Sequence, residues 1–158
     1  MSIGPVLRDL HRDEEALARH LLAVAERHRA DHEVHHLARD LAAWSRRHAR
    51  ALTDAGSRYG VTDWDDGGHH DGSHHDGGES GGGHGTDGDG LALLRDLRKV
   101  CADASAVSVD WVLLGQAAQA THDAALLALV QDCHPETLRQ IRWAGAVLKE
   151  SGPQILAG

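Results

Sequence analysis

The chain has no phenylalanine, one tyrosine, one methionine and two cysteines in 158 residues. With so few aromatic side chains, Trp44, Trp111 and Trp143 read as the large fillers of a helical core. Cys101 and Cys133 are too few for a disulfide framework. If they lie on the two arms of one helical hairpin, they are about 15 Å apart along its axis. A disulfide needs Cα atoms within about 7 Å. Both read as small core residues of a reducing compartment. There is no Cys-x-x-Cys pair, and the adjacent Cys133 and His134 point about 100° apart on a helix, so they do not form a nucleophile and base.

Long apolar runs are also missing. None approaches the 18–20 or so residues needed to cross a bilayer. The opening MSIGPVLRDLHRDEEA has neither the basic start nor the apolar stretch of a signal peptide, so a cytoplasmic protein is expected. No strand-like alternation occurs, and no glycine-rich loop follows a strand as in phosphate- or dinucleotide-binding folds. Positive charge is in deficit, with a net charge of -8. This disfavours nucleic acid and anionic membrane as partners and suits cations.

Histidine is what the chain has in abundance: 14 residues. Five of them (His69, His70, His74, His75 and His84) fall in TDWDDGGHHDGSHHDGGESGGGHGTDGDG, a low-complexity tract with almost nothing to bury. Residues 61–90 are therefore expected to be a disordered, His/Gly/Asp-rich linker inside one domain. Clustered imidazoles on such a chain bind divalent cations by multivalency.

The rest has the three–four periodicity of packed helices. The first runs over about 3–29, with a seam of Ile3, Leu7, Leu10, Glu14, Leu17, Leu21, Val24 and His28. Asp31 is placed to cap a second helix, about 32–58, whose seam is Val34, Leu37 or Ala38, Leu41, Trp44 or Ser45, His48, Leu52 and Ala55. A third, about 91–120, carries Leu93, Leu97, Val100, Ala104, Val107, Trp111, Leu114 and Ala118. A fourth, about 123–149, carries Leu127, Val130, His134, Thr137, Ile141, Ala144 and Leu148. Pro135 is expected to kink or restart this helix and Gly152-Pro153 to end it. The expected fold is an all-α four-helix bundle of two hairpins. A tract this long can carry the chain along the bundle or loop it back, so helices two and three are parallel or antiparallel.

Glu14, His48 and His134 interrupt otherwise apolar seams. A buried carboxylate must be paired, protonated or bound to a cation. Counting from a turn near Ala30 sets Glu14 opposite His48, with His11 one turn away. If the tract crosses the bundle, His134 joins that level. Asp96, Asp103 and Asp110 recur every seven residues on one face of helix three, and Asp103 or Asp110 would complete a carboxylate–histidine set. Such mixed donors suit iron, manganese or zinc. In the competing reading, Glu14 pairs with an arginine and His48 is an interhelical hydrogen-bonding group. A second cluster lies at the first hairpin, where His32 and His36 share a helical face four residues apart, a spacing that chelates zinc or nickel. The tract adds His69, His70, His74 and His75.

The helix pattern, with its long central connection, resembles the ferritin-like four-helix-bundle superfamily. The stretches HLLAVAERHRADHEVHHLARDLAAWSRRHARAL and VSVDWVLLGQAAQATHDAALLALVQDCHPETLRQIRWAGAVLKE are similar to small helical proteins of high-GC bacteria. The resemblance implies two metal ions held by one Glu on each of two helices and Glu-x-x-His on the other two. Glu14 matches the first-helix position. Helix two offers Glu33-x-x-His36 near its start, helix four Glu136-x-x-Arg139 without the histidine, and helix three aspartates in place of glutamate. The leading expectation is a bundle that buffers or carries a divalent transition metal: iron, zinc, nickel or manganese. The alternatives are a non-haem di-metal oxidoreductase and a metal-free structural or protein-interaction bundle, and a homo-oligomer is compatible with each.

Overall fold

A computed structural model describes residues 3–64 and 86–158, in four long helices and no strand. The tract histidines His69, His70, His74, His75 and His84 lie outside the described residues. Helix α1 spans Ile3–Arg27 and α2 spans His32–Gly56, followed by a single 3-10 turn at Ser57–Tyr59. Helix α3 spans Thr86–Ala120 and α4 spans Ala124–Ala157.

Local chemistry explains the ends. The Asp31 side chain accepts the Val34 amide at 3.1 Å and opens α2, and Asp123 does the same for Leu126 at 3.0 Å to open α4. These bonds satisfy amides with no partner inside the helix. After α2 the chain reverses through Gly60 at φ +70°, and Val61 N–H reaches back to the Gly56 carbonyl at 3.0 Å. A left-handed residue with such a six-to-one bond is the usual helix stop. Helix α3 stops in the same way, but with His122 at φ +54° where glycine is commonest, and Asp123 N–H on the Ala118 carbonyl at 2.9 Å. Gly56 serves packing: a Cβ there would lie 2.2 Å from the Trp64 ring, which closes the end of the bundle over His11 and Val61.

Two helices exceed their expected bounds. Helix α4 neither stops nor restarts at Pro135, and it passes Gly152-Pro153 to reach Ala157. Each proline leaves one carbonyl a turn earlier without its amide donor. Those carbonyls belong to Gln131 and Lys149, both exposed residues. Helix α3 begins at Thr86, five residues before Leu91. The two extensions meet where Ile155 packs onto Gly90, with a notional Cβ there 3.1 Å from its side chain.

Side-chain pairs fix the helix directions. Glu14 meets Trp111, His20 meets Asp103, and Arg27 meets Asp96, so α1 and α3 are antiparallel. His48 meets Glu136 and Ser45 meets Gln140, so α2 and α4 are antiparallel too. Since α1 and α2 form an antiparallel hairpin, α2 and α3 run parallel. Of the two arrangements that the sequence left open, this is the one for a connection along the bundle. The packing is most extensive within the hairpins α1–α2 and α3–α4, less so for α1–α3, and thinnest for α2–α4.

The apolar seams of α1 and α3 are buried as expected, and on α2 the buried alternatives are Ala38 and Ser45. On α4 the buried track is Leu126, Val130, Cys133, Thr137, Gln140, Ala144 and Gly152. Val130, Thr137 and Ala144 of the expected seam are thus buried, while Leu127, His134 and Ile141 give their inward places to Leu126, Cys133 and Gln140 and Leu148 is only partly buried. No described helix is long and apolar enough to cross a membrane.

Candidate functional site

At mid-height all four helices contribute to one buried polar layer. Glu14 of α1 is 0% exposed and His48 of α2 is 1% exposed. Glu14 Oε1 accepts two bonds, from Trp111 Nε1–H of α3 at 2.9 Å and from His48 Nδ1–H at 3.1 Å. On its other side His48 donates through Nε2 to Glu136 Oε1 of α4 at 3.2 Å. Glu136 in turn receives Arg47 Nη2 at 2.8 and 2.6 Å on its two oxygens. Acidic and basic groups therefore alternate along a chain: carboxyl, imidazole, carboxyl, guanidinium. Arg47 is exposed and Glu136 only partly covered, so the chain runs from the core to the surface between α2 and α4.

The electrostatics agree with this pairing. Burial opposes charge on His48, but the bonds and attraction of Glu14 and Glu136 outweigh it and raise its pKa above the ordinary value. Burial likewise works against the Glu136 carboxylate, yet Arg47 and His48 hold its pKa below the usual range. The Cys133 thiol is pushed up to about 12 by burial and by the nearby Glu14 and Glu136 charges. Two oxygens in this layer have no protein partner: Glu14 Oε2 and Thr137 Oγ1. Just above it Gln140 donates to the Leu41 carbonyl at 2.9 Å and Ser45 Oγ at 2.8 Å. Trp111 stands edge-on to the His48 ring with centroids 6.0 Å apart.

Of the residues that the sequence singled out, the structure brings Glu14 and His48 together and disperses the others. His134 is half-buried on the flank of α4 and shares a 2.8 Å hydrogen bond with Ser108, because the shifted seam gives its inward place to Cys133. Burial lowers the His134 pKa. Asp103 pairs with His20 and Asp110 faces Asp13, both at the α1–α3 edge. Burial and the Asp13 carboxyl raise the Asp110 pKa to about 7. Neither aspartate reaches His48. His11 is buried one turn from Glu14, but its ring lies against Trp64, with centroids 4.8 Å apart. His32 and His36 have ring centroids 4.2 Å apart on the exposed start of α2. His69, His70, His74 and His75 fall outside the described residues.

Sequence reasoning reached Glu136 only through Glu136-x-x-Arg139 of the resemblance, without its place beside His48, and missed Arg47 and the polar role of Trp111. A usable signal was present for Trp111, since a tryptophan in a core seam brings an N–H that needs an acceptor. The pairing of Glu136 with His48 carried none, because it depends on the register of α4. No group of three or more His, Cys, Asp and Glu side chains among the described residues is arranged to hold a metal ion as the side chains stand. A cavity of about 200 Å³ at Arg8, Arg12 and Trp64 and another of about 390 Å³ at Arg27, Asp31 and Leu93 sit at opposite ends of the helices, away from Glu14.

Against protein-family models, curated proteins and solved structures alike, the chain finds no match. The layer is therefore interpreted through its own geometry.

Proposed function

We propose that the chain is a ferritin-like bundle that buffers or carries one divalent transition-metal ion in its central polar layer. The observation that carries this reading is Glu14 Oε2, an oxygen of a fully buried carboxyl with no partner. Burying such an atom is costly unless something binds it. His48, Glu136 and Cys133 lie around the same level, and turning them from their present contacts toward Glu14 would give two carboxylates, an imidazole and a thiol. That donor set suits zinc or iron(II). Binding releases the protons of His48 and Cys133 and frees Glu136 from Arg47, which makes affinity fall with acidity. Glu136, at the solvent end of the layer, offers the way in.

The up, down, down, up order of the helices supports a ferritin-like architecture. The residues do not fit the two-metal centre of that architecture. Facing inward where it needs two Glu-x-x-His motifs and two further Glu are Ser45-x-x-His48, Thr137-x-x-Gln140, Glu14 and Trp111. The oxidoreductase reading thus lacks most of its donors. Neither end cavity leads a substrate to Glu14.

One observation favours a metal-free reading. The ionisable groups of the layer are paired with one another, with His48 bonded at both ring nitrogens and Glu136 neutralised by Arg47. In that case it sets helix register and binds nothing.

Cobalt(II) titration of metal-stripped protein separates the two. We expect one equivalent with a thiolate-to-cobalt charge-transfer band, retained when residues 69–84 are deleted and absent in Cys133→Ser. Binding lost with the deletion transfers the metal to the tract and removes the core site. No binding in either protein leaves the metal-free layer.

A further inference from the structure

The outer face of α3 is unlike every other outward face. Val109, Val112 and Leu113 are 58%, 46% and 55% exposed. Val109 and Leu113 belong to a second seam, Ala102, Ala106, Val109, Leu113, Gln116 and Ala120, on the side of α3 opposite its buried one, and Val112 flanks it. Its steps alternate four and three, the spacing that keeps one stripe of a helix against a partner helix. From Ala102 to Ala120 the helix has no arginine, lysine or glutamate. Its two aspartates, Asp103 and Asp110, are turned to α1. The other helices expose charge of both signs: Arg8, Asp9 and Arg12 on α1, Arg39, Asp40 and Arg50 on α2, Asp132, Arg139 and Arg142 on α4.

We infer that this face is a homodimer interface in which α3 packs antiparallel against α3 of a second copy. Two features select a second copy over another partner. First, a face with no charge strands the charged groups of a charged face, and among the described residues of this chain the other helices all expose charge, so the surface that matches it is the same face of a second copy. Two chains of net charge -8 also approach most cheaply through uncharged surface. Second, the seam is palindromic in its spacing. About a two-fold axis at the level of Trp111, Val109 meets Leu113 of the second copy, Ala106 meets Gln116, and Ala102 meets Ala120. An isologous contact requires this reciprocity. The small residues flanking Val109 and Leu113 let the two helices come close. The inference is independent of any metal in the core.

The test is molar mass by light scattering and sedimentation on the full chain. We expect a dimer at micromolar concentration, and monomers for both Val109→Glu and Leu113→Lys. Since both side chains are exposed, helicity and melting of the monomer should be unchanged. Mixing the two variants should restore a dimer, because Glu at 109 then meets Lys at 113 across the axis, whereas each variant alone stays monomeric. A monomeric wild type overturns the inference. So does a dimer that survives both substitutions, or a mixture that fails to associate.

Discussion

The two hairpins are joined by two seams that use polar side chains in opposite ways. Along α1–α3 the interior is apolar except for Glu14 and its bond to Trp111, with Leu7, Leu10, Leu17 and Leu21 packed with Leu97, Val100 and Val107, and the remaining polar pairs stand at the edge. Asp96 takes His28 and Arg27, Asp103 takes His20, and Asp110 abuts Asp13. Along α2–α4 the apolar packing is thin, and polar groups cross the interior: His48 to Glu136, Gln140 to Ser45 and to the backbone of Leu41. The first seam gains its stability from area and is forgiving of register. The second depends on directional bonds in a dry setting, where each bond is strong and each lost partner is expensive. Any access to Glu14 therefore lies on the α2–α4 side.

The largest expected effect follows from that difference. His48→Ala leaves the Glu14 and Glu136 carboxylates facing each other across a cavity, and breaking a buried pair in this way costs about 3–5 kcal/mol. Chemical denaturation should show the loss as a lower midpoint. A cost below about 1 kcal/mol would mean that water fills the layer and that the seam is not dry. Gln140→Ala is the next step down. It leaves the buried Ser45 hydroxyl without its partner and takes a second bond from the Leu41 carbonyl, which keeps its helical one, at a cost of about 1–3 kcal/mol. Its effect should add to that of an edge variant such as Asp96→Ala, since the two share no partner.

How much of this was legible in the sequence divides along the same line. The α1 and α3 seams were readable because Leu and Val recur in strict step and nothing competes for the inward track. The facing of Glu14 and His48 followed from counting outward from one short turn. On α4 two adjacent tracks compete. They share Val130, Thr137 and Ala144, which are buried as expected, but the more apolar choices between them, Leu127, His134 and Ile141, give way to Leu126, Cys133 and Gln140. Periodicity ranks tracks by hydrophobicity, whereas here the winning track is chosen by what α2 presents, Ser45 and His48. Tertiary pairing of this kind has no local signature, so the sequence offers Glu136 only through its resemblance motif and not as the partner of His48, and it sets His134 a residue too far inward. The overrun of Pro135 and Pro153 has a similar origin: the penalty falls on carbonyls of exposed residues, which composition does not reveal.

The ladder on α1–α3 predicts opposite pH responses at its two ends. Asp110 has a folded pKa raised to about 7, so the stability it contributes is present below the ordinary carboxyl value and is lost as pH rises through 7. Asp110→Asn should melt higher than wild type at pH 8 and similarly at pH 4. Burial opposes the Asp96 carboxylate, but Arg27 and His28 lower its pKa, so its contribution is present above the ordinary value and is lost as pH falls through the depressed one. Asp96→Asn should melt lower than wild type at pH 8 and converge with it in strong acid. If both variants shift the melting temperature in the same direction at pH 8, the two rungs are not electrostatically distinct.

The smallest effect belongs to the middle rung and is the sharpest check of the contrast. Asp103 and His20 are each about one third exposed, with side-chain values of 32% and 34%. A pair this wet is worth about 0–1 kcal/mol, because solvent screens it and both side chains lose freedom to form it. Asp103→Ala should therefore barely move the denaturation midpoint, although its partner lies on another helix, as the partner of Gln140 does. A loss near that of Gln140→Ala would show that the edge of α1–α3 is specified by its polar pairs as well. The difference between the seams would then lie in burial alone and not in how they hold the hairpins together.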